Sequence, residues 1–250
     1  MKTHRCERGH PDRPREPDTT DRLPFTGHGF FVTGTDTGVG KTLIACALLH
    51  GFGARGLRVI GMKPVAAGAT MDHGRLVNAD VTALRTASNV TAPDDLVNPY
   101  CFAPPIAPHI AAARAGISIE LERLQSAYAG LARLADCVVV EGAGGFRVPL
   151  GADFDTADFA CRLQLPVVLV VGIRLGCINH ALLTAAAIEA TSLPLAGWIA
   201  NHVDPEMIGA SENVSTLHAR LRAPLLGQVA YSAAPRAEVV ANALDIDALL

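Results

Sequence analysis

No two of the six cysteines, Cys6, Cys46, Cys101, Cys137, Cys161 and Cys177, form a Cys-x-x-Cys pair. Structural zinc and dithiol redox sites need such close spacing, so neither is supported. Long apolar runs are missing as well. Half of the 250 residues are hydrophobic and mean hydropathy is +0.28. Yet no stretch approaches the ~18–20 apolar residues of a membrane-spanning helix. There is no basic excess: 21 Lys and Arg stand against 24 Asp and Glu, a net charge of −3. That balance argues against wrapping nucleic acid or lying on an anionic membrane, both driven by clustered positive charge. The N-terminal segment MKTHRCERGHPDRPREPDTTDRLPF has no apolar core of a secretory signal. Scattered, reduced thiols then fit a cytoplasmic protein.

Residues 1–27 are rich in Pro, Arg, Asp and Glu and hold few aliphatic side chains. Such a segment cannot bury enough surface to offset its ordering entropy, so a disordered extension is expected. A basic targeting arm is the alternative, but its acidic residues nearly cancel its arginines. From residue 28 onward, strand-length runs alternate with helix-length segments. GFFVTG, RVIGMKPV, CVVVEGAGG, PVVLVVG, LAGWIAN and APLLGQVA are the runs. KTLIACALLHGFGARG and segments 118–135, 178–191 and 211–222 are the intervening helices. This pattern predicts one α/β domain over 28–250, with a mainly parallel sheet flanked by helices on both faces. Ligands of such sheets bind beyond the carboxyl ends of the strands. Polar and glycine-rich segments collect at those exits: 34–42, 63–68, 141–145, 172–179 and 201–204.

GTDTGVGKT (34–42) lies between the first strand and the first helix. Its glycines let backbone N–H groups turn around an anion at a helix N-terminus. Lys41 then reaches the outer phosphates and the Thr42 hydroxyl reaches Mg²⁺. Five residues separate Gly34 from Gly40 where the common loop has four, so Thr35 occupies the first glycine position. Lys63, in GMKPVAAG, is either an exposed end-of-strand charge or a second cation for a transferring phosphoryl group. Asp80, in NADVTAL, is either an N-terminal helix carboxylate or a Mg²⁺ ligand. In CVVVEGAGG, four apolar residues deliver Glu141 to a strand tip, where a carboxylate can complete a Mg²⁺ shell. LGCINHALLT opens a helix and offers another anion site; Asn179 is a cap or a ligand contact, and Cys177 has no activating base nearby.

FFVTGTDTGVGKT, KPVAAG, NPYCFAPPIAPHIAA, VVVEGAGG, PVVLVVGIRLGCINHALLTA and LAGWIAN together resemble the motifs of the dethiobiotin synthetase family, in order and spacing, over 28–250. The resemblance implies a phosphate-loop fold and an ATP-dependent cyclo-ligase of biotin biosynthesis. That reaction closes 7,8-diaminopelargonic acid and CO₂ (or bicarbonate) into a cyclic urea through a carbamate and a carbamic–phosphoric anhydride. It implies triphosphate binding by Thr37, Gly38, Val39, Gly40, Lys41 and Thr42, with Gly142, Ala143 and Gly144 alongside. Thr42, Asp80 and Glu141 hold Mg²⁺. Lys41, Lys63 and Thr37 act on the reacting groups, and Asn201 and His202, with Ala230, Tyr231 and Ser232, border the base. It also implies a homodimer in which Gly176, Cys177, Ile178 and Asn179 of one subunit receive the substrate carboxylate bound to the other.

Departures from the family pattern fall at the substrate and the base. Ala67 replaces a usual serine that contacts substrate, His202 stands where aspartate is frequent, and Ala230-Tyr231-Ser232 replaces a more apolar segment. Two rivals share the phosphate loop. A glutamine-dependent amide ligase of the cobyrinic-acid type needs a further glutaminase domain for which 250 residues leave no room. A partitioning or division-site ATPase carries an early loop lysine, absent from Asp36-Thr37-Gly38, and its membrane-bound members end in a basic helix, whereas residues 237–250 hold no Lys or Arg.

Overall fold

The computed structural model describes residues 29–250, so the expected disordered arm lies outside the described residues. The chain runs β1 (Gly29–Gly34), α1 (Lys41–Ala54), β2 (Val59–Met62), β3 (Val65–Ala67), β4 (Thr70–Asp72) and β5 (Arg75–Val77). Three helices, α2 (Ala79–Ala87), α3 (Asp94–Val97) and α4 (Pro108–Arg114), surround β6 (Tyr100–Phe102). Then come α5 (Leu121–Ala132), β7 (Cys137–Glu141), α6 (Thr156–Leu163), β8 (Val167–Ile173) and α7 (Cys177–Glu189). The series ends with β9 (Leu195–His202), α8 (Ala210–Arg220), β10 (Leu225–Val229), α9 (Ala237–Ala241) and a 3₁₀ turn at Asp247–Leu249.

The main sheet has six strands in the order β10-β9-β8-β1-β7-β2, and every pairing in it is parallel. Its central strands are buried on both faces, which is why they read as unbroken Val-rich runs instead of alternating ones. On one face Phe30, Val32, Val139 and Val170 pack against Ile44, Leu48 and Phe52 of α1. On the other, Phe31, Val138 and Val140 meet Leu124 and Leu131 of α5 and Phe159 of α6. Leu169, Val171 and Trp198 meet α7 and α8 through Ala181, Ala185 and Leu217. Each fully buried Leu or Phe of these layers contributes about 1.5–3 kcal/mol by leaving water.

Two small sheets depart from the expected series. The run RVIGMKPV is not one strand: β2 ends at Met62, and Lys63-Pro64 separates it from β3, which pairs with β6 in a two-stranded sheet. Proline cannot donate to a ladder, so the strand breaks where Lys63 must leave it. β4 and β5 form an exposed antiparallel hairpin turning at His73 and Gly74.

Candidate active site

β1 delivers the chain to a loop that ends at Gly40, the N-cap of α1, in the left-handed region at φ 93 and ψ 25. A side chain there would also collide with the Asn201 amide, so the position takes glycine on two grounds. No side chain caps α1, which leaves the first N–H groups of its dipole-positive end to a ligand. Lys41 is buried and its Nζ donates to the Asp36 carbonyl at 2.8 Å. The Asp36 side chain ties the loop down twice. Its Oδ1 accepts from the Thr37 N–H at 2.7 Å, and its Oδ2 meets Arg174 Nη2 at 2.5 Å.

Lys63 sits just past β2, its N–H donating to Val97 O at 2.9 Å and its carbonyl accepting from Asn98 Nδ2 at 2.6 Å. It is 5% exposed, so it is not the exposed end-of-strand charge. Its Nζ lies 2.5 Å from Glu141 Oε1 and 2.8 Å from Asp80 Oδ2. The Thr42 hydroxyl donates to the same Glu141 oxygen at 2.9 Å. Asp80 stands in the first turn of α2, so it is both a helix N-terminal carboxylate and a partner of the site. Asn78 caps that helix, its Oδ1 accepting from Asp80 N at 3.0 Å and Val81 N at 3.3 Å.

Burial alone would lower the Lys63 ammonium, but Glu141 and Asp80 outweigh it and hold it above the ordinary lysine range. Burial pushes Glu141 up, against the pull of Lys63 and with the help of Asp80. For Asp80 the opposing burial is overcome by Lys63, which keeps the carboxyl below its usual value. Lys41 is lowered to about 8, first by burial and then by repulsion from Lys63. Five described cysteines are free, and burial raises Cys46 and Cys137 to about 12, so neither is a nucleophile at neutral pH.

The donor set suits a hard divalent ion. Glu141 Oε2 is buried without a hydrogen-bond partner and Thr42 and Asp80 supply further oxygens beside it. No group of three His, Cys, Asp or Glu among the described residues could hold an ion alone. An ion here would draw its remaining oxygens from water and a bound phosphate, the usual arrangement for Mg²⁺.

The remaining expected residues fall around this cluster. The loop Gly142-Ala143-Gly144 is anchored by Gly142 N donating to Val32 O at 2.9 Å and runs beside Thr37. Ala67 ends β3, its carbonyl accepting from Asn78 Nδ2 at 3.2 Å. Gly176 caps α7 in the left-handed region. Cys177 is turned inward, its thiol facing Asn213 and its N–H donating to Arg174 O, so Ile178 and Asn179 carry the next N–H groups at that helix end. Asn201 pairs in register with Gly172 on one side and Val229 on the other, which sets His202 next to exposed Ala230, Tyr231 and Ser232. His109, from the Ala-Pro-His motif, lines an open cavity of about 400 Å³ with Leu150 and Phe154. Asp36, Asn78 and Arg174 were not singled out in the sequence. Only Asn78 had a signal, an asparagine opening a helix two residues before an aspartate.

Together, the parallel sheet, the loop and the buried charges define a phosphate-loop nucleotide-binding protein. Residues 28–238 match the family model described as an AAA domain. Solved structures agree on the fold. MinD cell division protein of Aquifex aeolicus superposes with a TM-score of 0.51 at 15% identity, over 82% of this chain and 83% of its own. Signal recognition particle 54 kDa protein of Aeropyrum pernix, in complex with GDP, gives 0.50 at 20% identity, over 91% of this chain and 49% of its own. Sequence separates this chain from both. The ATP-dependent dethiobiotin synthetase BioD of Nitrosospira multiformis is 54% identical over 220 residues, 88% of this chain and 96% of that protein. The enzyme of the same name from Aromatoleum aromaticum is 54% identical over 214 residues, 85% and 95% of the two chains. The chain belongs to the ATP-dependent dethiobiotin synthetase family.

Proposed function

We propose that the chain converts 7,8-diaminopelargonic acid, CO₂ and ATP into dethiobiotin, ADP and phosphate. The observation that carries this reading is Lys63, buried between Asp80 and Glu141 beside the phosphate loop. One substrate amine adds to CO₂ and loses a proton, giving a carbamate. A carbamate oxygen takes the γ-phosphoryl group of ATP and ADP leaves, forming the mixed anhydride. The second amine then attacks the carbonyl carbon, loses a proton and expels phosphate, closing the cyclic urea. No covalent link to the protein is required, so the work is positioning and charge stabilisation.

An ammonium has three donors. Lys63 directs two of them at Glu141 and Asp80, which leaves the third for the carbamate oxygen. Lys41 shifts from the Asp36 carbonyl to the β- and γ-phosphates, and the loop from Thr37 to Thr42 cradles the triphosphate. Thr42, Asp80 and Glu141 would hold Mg²⁺, which supplies charge neutralisation to the phosphates when bound. Thr37, Ala67 and Lys63 border the diamine. Asn201, His202 and residues 230–232 border the base.

A homodimer is part of the reading. Its support is apolar surface near the α7 N-terminus, where Leu175 is 91% and Leu183 63% exposed. The partner's substrate carboxylate would then lie at Gly176, Cys177, Ile178 and Asn179. No helix among the described residues is long and apolar enough to cross a membrane, and the free thiols suit the cytoplasm. The test is phosphate release from ATP with the diamine or bicarbonate omitted in turn. Release is expected only with both present; release without the diamine would sink the proposal.

A further inference from the structure

Val39 is the most confined residue of the phosphate loop, and three separate strands confine it. Its side chain is fully buried. One methyl group lies where a Cβ on Gly34, the last residue of β1, would come within 2.6 Å. The other lies where a Cβ on Gly172 of β8 would come within 2.8 Å. Both strands thus omit a side chain where Val39 sits. Its carbonyl is held as well: Asn201 Nδ2, on β9, donates to Val39 O at 2.8 Å, a buried bond spanning 162 residues of sequence. The register explains how β9 reaches the loop, since Asn201 pairs directly with Gly172 and reaches across the position its missing side chain leaves open. The same amide stands over Gly40, whose carbonyl side leads into α1.

We infer that Asn201 is a positioning residue for the phosphate loop, fixing the Val39 and Gly40 peptides in the shape that presents Lys41 and the first N–H groups of α1 to the triphosphate. It acts through Val39 and so on the phosphate end of the nucleotide, whatever it contributes at the base. An amide whose Nδ2 is committed to Val39 O also has one fixed orientation. Replacing it with aspartate puts an acceptor against an acceptor and leaves a buried carbonyl without a donor. This inference rests on the nucleotide-site reading above.

The test is amide hydrogen exchange of residues 37–42 without and with ATP, with ATP affinity by calorimetry, for wild type, Asn201→Asp and Gly172→Ala. In wild type, ATP is expected to protect these amides; no protection would break the nucleotide-site reading itself. With that protection present, Asn201→Asp is expected to speed loop exchange and weaken ATP binding by about tenfold, with β8 exchange unchanged. Gly172→Ala, which keeps the amide but pushes Val39 from the other side, is expected to loosen the same residues. Loop exchange unaltered in either variant overturns the inference, even if the preference among ATP, CTP and GTP changes. Faster exchange with ATP affinity intact overturns it too.

Discussion

Strands β2 and β7 lie side by side and carry a cation–carboxylate pair at each end. At the amino end, Arg58 and Asp136 precede the two strands, with Nη2 and Oδ1 2.7 Å apart and side chains 61% and 38% exposed. At the carboxyl end, Lys63 and Glu141 are 2.5 Å apart with side chains 6% and 1% exposed. Pairing is equally good at both ends; access of water is what differs. The guanidinium fork grips a carboxylate in a fixed plane and, with Arg58 N donating to Asp136 Oδ2 at 2.9 Å, pins the register of the strands. In water such a pair does little beyond that. The ammonium at the other end is a compact charge in a dry setting. Its field is poorly screened, so it can act on a reacting oxygen. The sheet therefore holds an exposed charge pair at its amino end and a buried one at its carboxyl end, joined by β2 and β7.

The largest effect that can break this contrast is expected from Lys63→Gln. Removing one member of a buried pair leaves the other unpaired, which costs about 3–5 kcal/mol in stability. Loss of charge at the developing phosphoryl and carbamate oxygens lowers turnover by roughly 10²-fold or more. Thermal unfolding and turnover at saturating ATP check both; near-normal turnover would make the two ends of the sheet equivalent. Next in size is a pH effect on Lys41. Its ammonium is lowered to about 8 by burial and Lys63, and a bound triphosphate must raise it again. ATP affinity is therefore expected to hold steady below pH 8 and to fall above it, with proton uptake on binding. Calorimetry in two buffers of different ionisation enthalpy measures that uptake, and its absence at pH 8–9 would refute the assignment. The smallest effect belongs to Arg58→Ala: turnover unchanged and a melting temperature within about 2 °C of wild type. A loss of turnover there would show that the exposed pair is coupled to the site after all.

Much of the sheet was legible because a strand buried on both faces must be a continuous apolar run, and β1, β7, β8 and β9 are such runs. The hairpin of β4 and β5 was not, because its side chains are exposed and its pattern owes nothing to a core. Lys63 and Glu141 could be picked out since each sits where an apolar run ends, and Lys41 and Thr42 since they close a glycine-rich loop at a helix start. What they touch could not. Lys63 meets Glu141 across 78 residues only because β2 and β7 are neighbours. Arg174 meets Asp36 across 138 residues for the analogous reason, β8 lying beside β1. Strand order decides such contacts, and strand order is a property of the whole packing, which no local pattern carries. The resemblance to a family offered roles for the site residues but no reason for Val39 to be gripped from three strands.

The strand order also sets a schedule for synthesis. β1 is central, flanked by β7 and β8, and β2 pairs only with β7. As the chain leaves the ribosome, no two strands of the six-stranded sheet can pair until Glu141 has been made. Through the first 136 residues, the phosphate loop and α1 exist as sequence without a scaffold. The nascent chain must carry the apolar strands β1 and β2 unpaired for longer than a meander of hairpins would, a state that invites association and chaperone binding.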